Sequence, residues 1–132
     1  MSDIRQELRY TEEHEWAVLS KNGVIRVGIT DYAQCLLGDI VYVELPSVGT
    51  TTTALQPMGT IESVKTVSDL FSPLDGVIVR VNEQLQTAPE LVNEKPYEDG
   101  WLVEIEAAGD ASDALQRLLT AEQYEKLLSS SS

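Results

Sequence analysis

Short runs of β-branched and apolar residues, separated by turn-forming residues, recur along most of this chain. Residues 14–19 and 24–29 form the first pair of runs, and the Asn-Gly dipeptide between them favours the positive φ of a hairpin turn. The further strand candidates are residues 40–45, 59–64, 67–71, 77–81 and 101–106. The chain is therefore predicted to be mostly β.

Two helices interrupt or follow these strands. The first is predicted over Asp31–Leu37, with Thr30 as its N-cap and Gly38 as the residue that ends it. The second lies near the C-terminus, where Thr120 and Gln123 have the spacing of a capping box. An apolar stripe at helical spacing follows it, made of Tyr124, Leu127 and Leu128. The helices are therefore expected to be few, one internal and one terminal.

One internal repeat relates two of the strand candidates. Residues 38–43 and 76–81 share glycine, isoleucine and two valines at an offset of 38 residues. Any two strands that leave glycine turns can look alike, so the similarity alone leaves two interpretations open. If the repeat is genuine, two similar half-barrels face each other, and the segment between them projects as a hairpin.

Charge restricts the partners that the chain can bind. It has 9 Lys and Arg against 22 Asp and Glu, a formal net charge of −13. Nucleic acid and anionic membrane surfaces would be repelled by this charge. We therefore expect no nucleic-acid or membrane partner, and an attraction to basic faces of other proteins.

Scarce residue types exclude further classes. One histidine and one cysteine allow no disulfide framework and no Cys/His zinc site, so no metal is expected. No apolar run is long enough to span a bilayer, and the first residues lack the features of a signal peptide. We expect a soluble, intracellular, acidic protein. It would form a single domain over residues 1–132, with flexible ends at 1–7 and 129–132.

Lys65 lies near the middle of the segment between the repeats, where a tight turn would join two strands. A lysine there is exposed on a rigid support, and its amine can be acylated. These are the requirements for attaching a long prosthetic arm. An ordinary surface lysine is the alternative, and spacing alone does not distinguish Lys65 from Lys21, Lys95 or Lys126.

A set of motifs around Lys65 resembles the lipoyl-lysine region of the glycine cleavage system H proteins. The segments that carry the resemblance are HEW (14–16), VGITDYAQ (27–34), LGD (37–39), VELP (43–46), ESVKTVSD (62–69), SPLDG (72–76), PELVN (89–93) and PYEDGW (96–101). They occur in the family's order over roughly residues 8–128. Each fragment is weak alone, but the ordered set is specific.

The resemblance implies a barrel-sandwich hybrid fold, mostly β, with short helices and a C-terminal helix. It also implies a non-catalytic carrier with no catalytic residues, in which lipoate is joined by an amide to Lys65. The expected partners are a pyridoxal-phosphate glycine decarboxylase, a tetrahydrofolate-dependent aminomethyltransferase, a flavin-dependent dihydrolipoamide dehydrogenase and the lipoyl-attaching enzymes. The dithiolane accepts the aminomethyl group of glycine from the first, passes it to the second and is reoxidised by the third. We expect a monomer in a bacterial cytoplasm, or in the mitochondrial matrix if a transit peptide has been removed.

The resemblance further implies a cleft that protects the loaded arm. Glu15 and Asp69 match two cleft positions, and carboxylates there would bind the protonated terminal amine. Glu13 stands where some family members have serine, so it either adds a charge to this site or is a solvated side chain. For Glu15 and Asp69 the alternative is a solvated strand edge or a turn cap.

Several other residues are assigned structural roles. His14 is expected to pack or hydrogen-bond near the first strand rather than act as a base, since no nucleophile is evident beside it. Cys35 is expected to be a small, partly buried apolar residue of the first helix. The two tryptophans, Trp16 and Trp101, are expected in the core or the cleft wall. The acidic residues expected to be solvated are Asp39, Glu44, Glu104 and Glu106.

Three alternative functions compete with the glycine cleavage carrier. Lipoyl domains of 2-oxoacid dehydrogenases usually lack the flanking segments 14–16 and 100–101. Biotin carriers typically have methionines on both sides of the lysine, where this chain has Val64 and Thr66. An H-like paralogue is the third: it would relay lipoyl groups to other proteins or serve as an unmodified interaction module.

Overall fold

The computed structural model describes residues 3–20 and 23–131. Its strands are β1 (Arg9–Tyr10), β2 (Glu15–Leu19), β3 (Ile25–Ile29), β4 (Ile40–Glu44), β5 (Thr51–Thr52), β6 (Pro57–Ser63), β7 (Val67–Phe71), β8 (Gly76–Val81) and β9 (Val103–Ala107). Its helices are α1 (Asp31–Leu37), α2 (Leu91–Glu94), α3 (Ala111–Gln116) and α4 (Ala121–Ser131), with a 3₁₀ helix at Glu83–Gln86. The prediction of a mostly β chain is confirmed.

The strands form two antiparallel sheets that enclose one apolar core. One sheet has six strands in the order β1-β2-β3-β9-β8-β5, and the other has three in the order β4-β6-β7. Ile25, Ile105 and Ile78 are aligned across three neighbouring strands of the larger sheet, and each is fully buried. Ile61 and Leu70 of the smaller sheet belong to the same core. The two repeats of the sequence, β4 and β8, lie in different sheets, and the β6–β7 hairpin lies between them in the chain.

A second apolar cluster attaches the C-terminal helix to the larger sheet. The rings of Tyr10 and Tyr124 are stacked with centroids 4.5 Å apart, and both side chains are fully buried. Strand β1, which the sequence analysis did not predict, is extended by backbone hydrogen bonds in both directions between Tyr10 and Leu119. This contact fixes α4 beside the segment that leads into β2.

Both predicted helix caps are confirmed. The Thr30 hydroxyl accepts a hydrogen bond from the Ala33 N–H at 3.2 Å, and α1 ends at Gly38, whose φ is 82°. At α4, the Thr120 N–H donates to the Gln123 side chain and the Gln123 N–H donates to the Thr120 hydroxyl. Both signals are local, because each connects residues only three positions apart.

Two side chains lie in environments other than those predicted. Glu104 is not solvated: only 5% of it is exposed, and it pairs with Arg26 at 2.9 Å and Arg80 at 3.5 Å. The alternation of apolar and charged residues along β9 places Glu104 on the outer face of the sheet. However, β9 is a central strand, and Arg26 of β3 and Arg80 of β8 cover the Glu104 side chain. Cys35 is exposed rather than partly buried, because α1 turns Ala33 instead toward the core.

Two predictions, the first hairpin turn and the flexible chain ends, concern residues that are partly outside the described structure. The predicted hairpin turn at residues 20–23 includes 21 and 22, which lie outside the described residues, as do 1, 2 and 132. Helix α4 continues through Ser131, and the Tyr10 hydroxyl donates to the Arg5 carbonyl at 2.7 Å. Flexibility of residues 1–7 and 129–132 stays a prediction. No helix in the described part of the chain is long and apolar enough to cross a membrane.

Candidate functional site

Lys65 is exposed at the turn of the β6–β7 hairpin. The Ser63 N–H donates to the Thr66 carbonyl at 2.8 Å, and the Ser63 hydroxyl accepts from the N–H groups of Lys65 and Thr66. The Val64 N–H donates to the Asp39 carbonyl, which ties the turn to the chain after α1. These hydrogen bonds fix the backbone of the turn and therefore the position from which the Lys65 side chain extends.

The side chain of Lys65 passes over Gly38. A Cβ on Gly38 would lie 3.0 Å from Cε of Lys65 and 3.6 Å from Nζ, and the φ of 82° also disfavours any other residue. Glycine therefore does two things at this position: it ends α1, and it leaves room for the aliphatic part of the lysine.

Asn93 holds the chain segment on which Lys65 rests. Its Nδ2 donates to the Gly38 carbonyl at 2.8 Å and to the Gln34 side chain at 3.0 Å, and its Oδ1 accepts from the Ile40 N–H. The sequence analysis included Asn93 only as part of a motif and assigned it no role. Its partners are more than 50 residues away in the chain, so no local signal indicates them.

A cleft of about 250 Å³ lies between α1, the start of β2 and β7. It is lined by Glu13, Glu15 and Asp69, the three carboxylates singled out from the sequence. The other lining residues are His14, Ile29, Ala33, Leu36, Leu37, Ile61, Ser68, Leu70 and Phe71. The cleft is therefore an apolar trough with acidic groups at its wall.

Glu15 is buried, whereas Glu13 and Asp69 are exposed. One oxygen of Glu15, Oε1, accepts a hydrogen bond from the Thr11 hydroxyl at 2.5 Å, and Oε2 accepts from the Phe71 N–H at 3.3 Å. Burial raises the pKa of Glu15 to about 8, against the lowering effect of these hydrogen bonds. Glu15 is thus no solvated strand edge but a buried acid at the cleft.

His14 connects the cleft to the C-terminal helix. Its φ is 73°, its Nδ1 lies 2.8 Å from the Tyr124 hydroxyl, and its ring packs against Tyr32. Burial lowers the pKa of His14. The expectation that this histidine packs and hydrogen-bonds near the first strand is confirmed.

The hairpin places the lysine and the cleft on one element. Asp69 lies on β7, four residues after Lys65 at the turn, so their backbones are at most about 13 Å apart at the rise of an extended strand. A lysine side chain lengthened by a lipoyl chain spans such a distance. A larger groove of about 490 Å³, near α3 and the end of β7, shares Glu13 and Phe71 with the cleft.

Comparison with known proteins identifies the family. A family model described as glycine cleavage H-protein matches residues 8–131. The chain belongs to the glycine cleavage H-protein family. The H protein of Anoxybacillus flavithermus is 54% identical over 125 residues, which cover 95% of this chain and 96% of the relative. That of Geobacillus thermodenitrificans is 57% identical over 119 residues, which cover 90% and 91%.

A solved H protein has the same fold. The crystal structure of the H protein from Mycobacterium marinum superposes with a TM-score of 0.84 at 39% identity, covering 93% of this chain and 97% of that one. The predicted barrel-sandwich hybrid is therefore confirmed, as two facing sheets that do not close into a barrel. H proteins are lipoyl carriers without catalytic activity of their own, and this chain is a carrier rather than an enzyme.

Proposed function

We propose that Lys65 bears an amide-linked lipoyl group and that the chain carries the aminomethyl group of glycine between the enzymes of glycine cleavage. The observation that supports this proposal is the β6–β7 hairpin, which presents an exposed lysine at its turn and leads along β7 to a cleft lined by three carboxylates. The partners are the pyridoxal-phosphate decarboxylase, the tetrahydrofolate-dependent aminomethyltransferase and the flavin-dependent dihydrolipoamide dehydrogenase.

The residues around Lys65 fit such an arm. Its side chain is exposed to a lipoyl-attaching enzyme, and Gly38 leaves room for Cε and Nζ of the lysine. The braced turn at Ser63 keeps the attachment point at a fixed place, so that the tethered arm is present at a high effective concentration at a docked active site. The lipoyl group itself supplies the dithiol chemistry, which the protein only presents.

The residues of the cleft fit a positively charged amine at the end of the loaded arm. Glu13, Glu15 and Asp69 line one trough, and a protonated amine there would gain charge-assisted hydrogen bonds. The apolar side chains of α1 and β6 reduce the access of water to an arm that lies in the trough. A carrier that shields its load in this way loses less of the one-carbon unit to hydrolysis.

The decisive experiment is glycine–bicarbonate carbon exchange with a glycine decarboxylase. We expect exchange with the wild type and none with Lys65→Arg, because arginine keeps the charge but removes the amine that is acylated. Lys126→Arg is the matched control, since Lys126 is also exposed but lies on α4, away from the hairpin. Intact-mass analysis before the assay establishes that the wild type and the control are lipoylated and the Lys65 variant is not.

Other outcomes would point to other functions. Full lipoylation without exchange would contradict the shuttle and favour a relay that donates lipoyl groups to other proteins. Native protein that never carries lipoate at Lys65 would contradict both carrier functions and leave an unmodified interaction module.

We also propose that the protein acts as a monomeric single domain in a bacterial cytoplasm. The two relatives compared above are bacterial, and one core joins both sheets. Size-exclusion chromatography with light scattering tests the monomer, and fractionation of the native host tests the compartment.

A further inference from the structure

Thr11 is the buried residue that closes the turn before β2. Its hydroxyl donates to Oε1 of Glu15 at 2.5 Å and accepts from the N–H groups of Glu13 and Glu15, both at 3.2 Å. Its own N–H donates to the Glu15 carbonyl at 2.9 Å. One side chain thus fixes both the backbone of the turn and the carboxyl group at its end.

We propose that Thr11 is a positioning residue of the arm cleft: its hydroxyl holds the Glu15 carboxyl group in the orientation that an ammonium group in the cleft requires, and it favours the ionised form against the effect of burial. This inference rests on the proposed function for its consequence, retention of the loaded arm. The contact between Thr11 and Glu15 does not depend on that function.

The surroundings of Glu15 explain why this hydrogen bond matters. Glu13 on the same turn and Asp69 on β7 also line the cleft, and the charge of Glu13 opposes a further negative charge on Glu15. His14 is the basic group among the described lining residues, and its hydrogen bond goes to Tyr124 rather than to Glu15. The residues that α1, β3 and β6 contribute to the lining are apolar. In the described structure the ionised form of Glu15 is therefore favoured by hydrogen bonds, against the effect of burial.

Two other residues donate hydrogen bonds to the carboxyl group in the described structure. One is the Phe71 N–H, which belongs to the backbone and binds Oε2 at 3.3 Å. The other is the Thr11 hydroxyl, which is shorter at 2.5 Å and is the single side-chain donor. A hydrogen bond to a charged acceptor in a buried place is among the stronger ones in proteins. Thr11 thus opposes the effect of burial on Glu15.

The first test reads Glu15 directly, in protein without any arm. The carboxyl carbon of Glu15 is titrated by ¹³C NMR, and Glu15→Gln assigns its resonance. We expect Thr11→Val to raise the midpoint by about one to two pH units, and Thr11→Ser to leave it near the wild-type value. An unchanged midpoint in Thr11→Val would overturn the inference. If that variant does not fold, Thr11→Ala takes its place.

The second test measures retention of the loaded arm. Hydrolysis takes up one water, breaks the carbon–sulfur and carbon–nitrogen bonds of the aminomethyl group, restores the thiol and releases formaldehyde and ammonia, so intact mass follows it with time. We expect the acid limb of the pH profile of retention to move upward in Thr11→Val by the same one to two pH units, and Thr11→Ser to restore it. A wild type that cannot be loaded would refute the proposed function and leave the titration result intact. A shifted titration with an unshifted retention profile would overturn the positioning role.

Discussion

The substitution Glu15→Gln makes the burial of this acid measurable as a change in stability. Glutamine has nearly the same shape and can still accept from the Phe71 N–H and hydrogen-bond to the Thr11 hydroxyl. The substitution removes only the carboxyl group that gains and loses a proton. Wild type and variant therefore differ chiefly in the cost of ionising one buried carboxyl group.

The magnitude follows from the two pKa values of Glu15. The ordinary value is 4.5, and burial raises the pKa in the folded protein to about 8. Between these values the folded state keeps a proton that the unfolded state has lost, so the free energy of unfolding falls as pH rises, by about 1.4 kcal/mol per pH unit. From pH 5 to pH 8 the wild type should lose about 3.5 kcal/mol relative to Glu15→Gln, because the slope is reduced near each of the two pKa values.

Urea unfolding at several values between pH 5 and pH 8, followed by the fluorescence of the buried Trp16, provides the measurement. The general repulsion within a chain of net charge −13 also grows with pH, but it is common to both proteins and cancels in the difference. A difference that stays within about 1 kcal/mol over this range would refute the reasoning, because Glu15 would then titrate alike in both states.

Three further substitutions test local packing and capping. Gly38→Ala should cost about 1–3 kcal/mol in urea unfolding, because its φ of 82° and ψ of −157° suit glycine alone, and should displace Lys65; an unchanged stability would contradict the strain. Gly28→Ala places a Cβ 2.5 Å from the Trp16 ring and should cost about 1–3 kcal/mol, with a shifted tryptophan emission; an unshifted emission would contradict this contact. Thr120→Ala should lower the unfolding free energy by about 1 kcal/mol, seen as a lower Tm by circular dichroism, and an equal Tm would show that the cap contributes nothing.

Much of the architecture can be predicted because its signals are local. The Asp31–Leu37 helix begins and ends as predicted, since Thr30 and Gly38 act on adjacent backbone groups. Strand β7 has the predicted bounds. Strand β1 and helix α3 were not predicted: β1 has only two residues, and its partners β2 and Leu119 are supplied by the fold.

In the candidate site, too, some features follow from local sequence and others depend on the tertiary structure. The exposed turn that presents Lys65 follows from alternating β-branched runs around it, and the family resemblance follows from the order of the motifs. Sequence placed Glu15 and Asp69 in one cleft only through that resemblance. Glu104 shows where prediction from local pattern fails. The alternation of residues along its strand predicts a solvated charge, whereas arginines of the two neighbouring strands cover the side chain.

By itself the order of residues determined most of the extended segments, the two ends of the Asp31–Leu37 helix and the start of the C-terminal helix, because these depend on neighbours within a few positions. Only the tertiary structure decided that Glu15 is buried, that Thr11 and Phe71 hold its two oxygens, and that Tyr124 packs against the entry to β2. The contact of Glu15 with Phe71 and that of Tyr10 with Tyr124 join residues 56 and 114 positions apart, whereas the contact of Glu15 with Thr11 spans four. Burial and electrostatics depend on which distant segments meet, and local preferences do not contain that information.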